Sequence, residues 1–179
     1  MVKLGPINKW QLPMLQDWRN QLMEHGNFRQ FYYLSDKNQE EWFNEISDRQ
    51  KHLMLGVYGS IEVPGSLGQP LEVTLIIGVV GLTYLNWISR SAEASIYIAP
   101  EHSNKGYGTE ALKALCKYGF DTVNLNRITA EIYAYNDRSI KLFEKLGFVK
   151  EGTLRQSVYR FGNYDSSYVY GLLRDDYHV

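Results

Sequence analysis

Apolar positions recur at helical spacing through the first fifty residues and at strand spacing after them. Met14, Leu15, Trp18 and Leu22 form an i, i+4 stripe with Pro13 suited to a first turn, so a helix is expected there. A second helix is expected from about Asn38, where Asn38 and Glu41 resemble a capping box and Trp42, Phe43 and Ile46 would face inward. Between them, Asn27 to Tyr33 is aromatic and irregular, fitting either a packed connector or one wall of a pocket. From Lys51 the period shortens. Leu53 to Tyr58 reads as a strand, Gly59 to Gln69 is rich in turn residues, and Val73 to Leu85 is a long apolar run. Gly78 and Gly81 mark a bend or bulge in that run, which is too short and too interrupted to span a membrane. With Asn86 to Ser91 as a turn, strands near 53–58, 73–85 and 93–99 would form an antiparallel meander.

The stretch from Ala92 to Phe120 carries the strongest candidate chemistry. A strand stops at Pro100, a polar loop Ser103-Asn104-Lys105-Gly106-Tyr107-Gly108 follows, and a helix starts at about Gly108 or Thr109. Free N–H groups of a first helical turn and its macrodipole suit an anion such as phosphate, glycines allow close approach, and Lys105 adds a cation. A pair of glycines serves a plain turn as well. No Gly-Lys-Ser/Thr ending occurs, so a P-loop is excluded. Gly106, Gly108 and Ala111 satisfy a dinucleotide fingerprint, but residues 100–105 intervene after the strand and no helix–strand repeats lie upstream.

Further on, Arg127 to Tyr133 alternates as a strand. Asn136 or Asp137 can cap a short helix that Gly147 and Phe148 would end in a Schellman motif. Gly162-Asn163 lies between Tyr- and Val-rich runs as a hairpin turn.

Bulk composition narrows the function classes. The 179 residues are expected as one domain, 1–179, long enough to bury a substantial core. A net charge of −1 without any Lys/Arg run points away from nucleic acid. One cysteine excludes an internal disulfide framework, and Cys116, beside Leu115, reads as a buried inert thiol. With no apolar stretch near 20 residues and no signal peptide, a cytoplasmic chain is expected, with no membrane partner and no metal. The fourteen tyrosines are expected mostly as half-buried sheet residues, a few of them lining a pocket.

Ile98-Ala99-Pro100 followed by Ser103 to Gly108 resembles, in order and spacing, motif A of the GNAT superfamily of acyl-CoA N-acyltransferases, with Ser103 where the family usually has Gln or Arg. Asn136-Asp137-Arg138-Ser139 and the run to Phe148 resemble the second signature of that family. Glu151 to Arg155, Phe161 to Asp165 and Gly171 to Arg174 resemble the branch of ribosomal-protein N-terminal and spermidine acetyltransferases. The likeness covers Ala92 to Tyr177 and is looser before it, where Trp18-Arg19-Asn20 and Gln39 to Phe43 are similar to GNAT enzymes acting on nucleotide-linked amino sugars.

The resemblance implies an α+β GNAT fold with a mixed, mostly antiparallel sheet splayed between strands 4 and 5 and flanked by helices. It implies acetyl-CoA as co-substrate, held by Ile98, Ser103, Asn104, Lys105, Gly106, Tyr107, Gly108, Thr109 and Asn136. The expected reaction is direct acetyl transfer to a primary amine (a protein N-terminus, a polyamine or an amino sugar), with a homodimer left open. The first two helices and their connector would wall the acceptor pocket. A nearby N–H, expected at Ile98, would stabilise the oxyanion. Several relatives place an acidic tyrosine where this chain has Phe143. Ser139, one turn earlier on the same helical face, is the substitute donor to sulfur, unless it only caps the helix; Tyr133 and Tyr135 are others. For the base, Glu93 is the candidate, with Glu131 beside it, unless a water chain passes the proton. The rival reading is a non-catalytic GNAT module that binds CoA as a sensor or assembly part.

Overall fold

The computed structural model describes residues 1–26, 28–48, 50–64 and 69–178. One seven-stranded sheet runs through the molecule in the order β1-β2-β3-β4-β5-β7-β6. Its strands are β1 (Val2–Gly5), β2 (Leu53–Pro64), β3 (Pro70–Asn86), β4 (Ser91–Ile98), β5 (Arg127–Tyr133), β6 (Val149–Arg160) and β7 (Asn163–Leu173). Every pairing is antiparallel except β4 with β5.

That exception decides the architecture. β4 and β5 pair only at Ser91–Arg127, Ala92–Ile128 and Glu93–Thr129, although β4 continues to Ile98 and β5 to Tyr133. Beyond Glu93 the strands part, and the sheet opens in a V.

The expected meander is present, with longer strands. β2 extends to Pro64, well into the stretch expected to turn, and residues 65–68 of that stretch lie outside the described residues. Val57 pairs with Gly78 and Tyr58 with Ile76, so Ile77 is the extra residue of a bulge beside Gly78. A Cβ on Gly78 would sit 2.4 Å from the Tyr97 carbonyl oxygen, so glycine is required where β3 closes on β4.

Helices cover both faces. On one lie α1 (Leu12–Glu24) and α2 (Asp36–Ile46), where Leu15 and Trp18 pack with Ile76, Val79, Tyr97 and Ala99. Ser35, not Asn38, is the N-cap of α2; Asn38 is its third residue and reaches back to the Ser35 N–H, completing the capping box three residues earlier than expected. Trp42, Phe43 and Ile46 are half-buried as expected, and the fully buried residue of their face is Gln39.

The other face carries α3 (Tyr107–Lys117), continued by a π turn over Tyr118–Thr122, and α4 (Asp137–Lys145). Here Leu112, Leu115 and Phe120 pack with Ile98, Ile128, Ile132, Phe143 and Tyr170. Cys116 is fully buried in this layer, and burial pushes its thiol pKa up to about 12, so it is inert at neutral pH. α4 ends as its sequence predicts. Gly147 is left-handed (φ 88°), its N–H donates to the Glu144 carbonyl, and the Phe148 N–H donates to that of Phe143. The Phe143 and Phe148 rings meet edge to face at 4.9 Å. The hairpin turn between β6 and β7 is one residue earlier than expected: Phe161 and Gly162 are its central pair, both with positive φ, and Asn163 opens β7.

Candidate active site

The V between β4 and β5 is the back of a cleft of about 360 Å³. Its lining includes Glu93 to Tyr97 of β4, Ala130 to Tyr133 of β5, Asn136, Ser139 and Phe143 of the α4 segment, and Arg19, Phe28, Arg29, Gln30 and Trp42 from the opposite wall.

Strand geometry aims backbone donors into this gap. The Ala99 N–H donates to the Ile77 carbonyl on β3, so by alternation the amides of Ala94, Ile96 and Ile98 face the β5 side. Past Glu93, β5 no longer runs alongside to meet them.

Below the gap, Pro100–His102 make one 3-10 turn, and the Ser103 hydroxyl donates to the Ala99 carbonyl at 3.2 Å. Asn104 (φ 62°) and Gly106 (φ 84°) are left-handed, which turns successive N–H groups the same way. None of the N–H groups of residues 104–108 donates to an acceptor among the described residues. Gly106 N-caps α3 from this conformation, and the helix begins at Tyr107, one to two residues before the predicted start. A Cβ on Gly108 would make ordinary contact with Leu142 and Ile98 at 3.7 and 3.8 Å, so the fold itself does not demand glycine there. Exposed Lys105, with Tyr107 and Thr109 in the first turn, completes a cradle of donors suited to a phosphate.

Asn136 caps α4: its Oδ1 accepts from the Ser139 N–H at 3.1 Å, leaving its Nδ2 without a partner among the described residues. The cap is therefore the Asn136 side chain, and the Ser139 hydroxyl, also without a partner there, is not what caps the helix.

Two of the cleft carboxylates, Glu93 and Glu131, are tied together, while the third, Glu45, lies 3.5 Å from His52. Arg29 donates to Glu93 at 2.6 Å and to Glu131 at 3.2 Å, and Ser167 donates to Glu131 at 2.6 Å. Burial lifts the Glu93 carboxyl above its ordinary pKa; Arg29 opposes the rise and Glu131 adds to it. Tyr135 is not in the lining. Its hydroxyl donates to the Gly26 carbonyl at 2.6 Å, and its pKa is raised, chiefly by burial.

Long-range bonds hold the wall opposite. The segment before α2 is both connector and wall, although Asn27 lies outside the described residues. Asn20 pairs with both backbone groups of Leu34, and Arg160 at the end of β6 donates to the carbonyls of Phe28 and Gln30. Trp18 donates to Glu101 at 3.0 Å, tying α1 to the turn before the glycine loop. Sequence reasoning missed Arg29 and Arg160, since nothing local in an irregular aromatic segment or a strand end names a partner some hundred residues away.

Residues 6–149 match the acetyltransferase (GNAT) domain family. The chain belongs to that family. The spermidine N(1)-acetyltransferase of Vibrio cholerae is 38% identical over 89 residues, 50% of this chain and 51% of that protein. The Escherichia coli K12 enzyme of the same name is 37% identical over 87 residues, 49% of this chain and 47% of its own length. The chain thus spans about half the length of these curated relatives. In three dimensions the likeness is wider. The Vibrio cholerae spermidine N-acetyltransferase solved with CoA and spermine has a TM-score of 0.82 and 26% identity, covering 98% of this chain and 97% of that one. The α+β fold with its splayed, mixed sheet is therefore the GNAT fold expected from the two motifs.

Proposed function

We propose that residues 1–179 act as one N-acetyltransferase domain that moves the acetyl group of acetyl-CoA to a primary amine by direct attack, in the cytoplasm. The observation that carries this reading is the opened β4–β5 junction above a loop whose consecutive N–H groups lack acceptors. Ser103, Asn104, Lys105, Gly106, Tyr107, Gly108 and Thr109 hold the pyrophosphate, Asn136 holds the pantetheine arm through its free Nδ2, and the Ile98 N–H meets the thioester carbonyl at the end of that arm. When bound, acetyl-CoA supplies the thioester carbonyl.

The chain's own groups then do the following. Ile98, and Ile96 above it, direct amide dipoles at the carbonyl oxygen, where negative charge develops. Glu93 takes a proton from the incoming ammonium, directly or through water, so that the amine attacks as a neutral nucleophile. Arg29 opposes the rise that burial gives the Glu93 carboxyl. Ser139 donates a hydrogen bond to the departing sulfur. Tyr135, held on Gly26, is assigned to fixing the wall, which leaves Tyr133 as the one of these two tyrosines that lines the cleft.

The test is thiol release from acetyl-CoA with a mixed panel of amines, alongside calorimetry with acetyl-CoA and NADH. Acetyl-CoA should bind, NADH should not, and at least one amine should release thiol. NADH binding without acetyl-CoA binding would overturn the cradle assignment. Acetyl-CoA binding with no turnover on any amine would favour a CoA-binding module over an enzyme.

A further inference from the structure

Across from the Glu93–Glu131 pair, the cleft contains a cation with no counter-charge among the described residues. Arg19 on α1 forms no ion pair and no hydrogen bond among the described residues, while every other arginine in this lining is paired. Its guanidinium lies 5.5 Å from the Trp42 ring centre and 5.9 Å from that of Phe28, and Phe28 meets Tyr97 edge to face. Its Nε is buried without an acceptor among the described residues, and the residue lines the cleft. Desolvation lowers its pKa from the usual value, and the groups whose potential reaches it are the Tyr97 and Tyr32 phenols, not a carboxylate.

Polar groups around it are equally unsatisfied. The Tyr97 hydroxyl and the Gln30 Oε1 both line the same cleft, buried and without partners, and Tyr97 is 8% exposed. Aromatic stacking does not close this account. Cation–π contact offsets only part of what it costs to take a charge out of water. What would satisfy the guanidinium is an anion with flat or tetrahedral oxygens, because its planar fork of donors matches carboxylate and phosphate.

We infer that Arg19, with the Tyr97 hydroxyl, binds an anionic group carried by the acceptor, so that the acceptor is a primary amine bearing its own carboxylate or phosphate. This rests on the acetyltransferase reading above. The amine belongs at Glu93, the anion at Arg19, and both residues line one cleft. A polyamine gains less here: Arg29 already holds Glu93 and Glu131, the remaining carboxylate of the lining, Glu45, lies 3.5 Å from His52, and Arg19 repels a second ammonium.

The test compares amines with and without the anion: butylamine, 1,4-diaminobutane, 4-aminobutyrate and phosphoethanolamine, each with acetyl-CoA. A charged hydrogen-bonded contact of roughly 1.5–3 kcal/mol corresponds to about 10–100-fold, so kcat/KM should favour an anionic member by that factor. 4-Aminobutyrate against phosphoethanolamine then tells carboxylate from phosphate. Arg19→Gln should erase the preference through KM, and Arg19→Lys should retain part of it. Inorganic phosphate should compete with the acceptor in the wild type and not in Arg19→Gln. Preference for butylamine or 1,4-diaminobutane, or an Arg19→Gln enzyme that keeps the anionic preference, would overturn the inference.

If no amine turns over, the acetyltransferase reading fails separately. Trp42 fluorescence with CoA present then decides: saturable quenching by phosphoethanolamine or 4-aminobutyrate in the wild type and not in Arg19→Gln supports the site. No quenching in the wild type refutes it. Should Arg19→Gln not fold, Tyr97→Phe takes its place, with at least about a tenfold rise in KM for the anionic amine and none for butylamine.

Discussion

The two walls of the cleft are built by opposite means. The wall proposed for acetyl-CoA comes from one continuous stretch, β4 through α4, and most of its groups are backbone amides aimed by strand alternation and two left-handed residues. The opposite wall is assembled from side chains far apart in the chain. The Arg29–Glu93 partners lie 64 residues apart, Tyr135 and Gly26 109, and Arg160 and the two carbonyls it holds 132 and 130. A backbone cradle needs glycine and a helix start, so many sequences can build it and its position is set locally. A side-chain clamp needs particular residues at both ends, so it varies freely and can carry selectivity for the acceptor.

The sharpest way to break this contrast is Gly108→Glu. The fold has room for a Cβ there, beside Leu142 and Ile98, and the substitution adds a negative charge to the first turn of α3, next to the loop amides. The protein should stay folded and lose its thermal shift with acetyl-CoA entirely, measured by scanning fluorimetry; a full shift in the variant would detach the cradle from CoA.

Next in size is the proton path. Glu93→Gln should lower kcat by about 10²–10⁴-fold if Glu93 is the base. The wild-type rate should rise with pH on a limb above the ordinary carboxylate range, because burial raises the Glu93 pKa. Arg29→Met removes the opposing cation and should move that limb to higher pH, while any limb from the amine's own titration stays. Stability has the reverse sign. With the folded pKa raised, the native state holds the proton longer than the unfolded one, so this group's contribution falls as pH rises from the ordinary carboxylate value through the raised one. A pH-independent rate in the wild type would remove Glu93 from the mechanism.

A smaller effect is expected at α4. Ser139→Ala should lower kcat at least about tenfold with acetyl-CoA affinity unchanged and little loss of stability, because Asn136 is the cap. Recovery of activity by Phe143→Tyr in that background would assign the hydroxyl to the leaving sulfur. An undiminished rate in Ser139→Ala would end the serine's role.

Asn136 divides two roles. Asn136→Ala should cost about 0.5–2 kcal/mol of stability and weaken acetyl-CoA binding, whereas Asn136→Ser should restore the cap and not the binding. Equal affinity in both variants and the wild type would leave Asn136 as a cap alone.

The smallest change is expected at Tyr135→Phe, which loses one bond to Gly26 worth about 0.5–1.5 kcal/mol. KM for the acceptor should rise a few-fold with kcat kept. A large fall in kcat would return Tyr135 to the chemistry.

Local signals explain what could be read in advance. β5 shows alternation within its own residues, α4 has its cap and Schellman ending within a dozen positions, and the strand–loop–helix around Gly106 needs no distant partner. Turn-rich composition failed for β2, whose last residues are strand because β3 lies beside them to pair with. The capping-box pattern of Asn38 and Glu41 misplaced the α2 cap, since Ser35 and Asn38 are both good capping residues and the fold selects which one meets a free helix end.

The sequence by itself determined the elements, the glycine loop and the family, because each depends on residues within about one helical turn or one strand of each other. Only the tertiary structure decided where β4 and β5 part, that Arg29 bridges Glu93 and Glu131, and that Arg19 lines the cleft without a counter-charge among the described residues. Those features are set by which side chains the packed sheet and helices bring within hydrogen-bonding distance, and by how much water the packing removes around them. Periodicity records which face is buried. It does not record what each charge will find there.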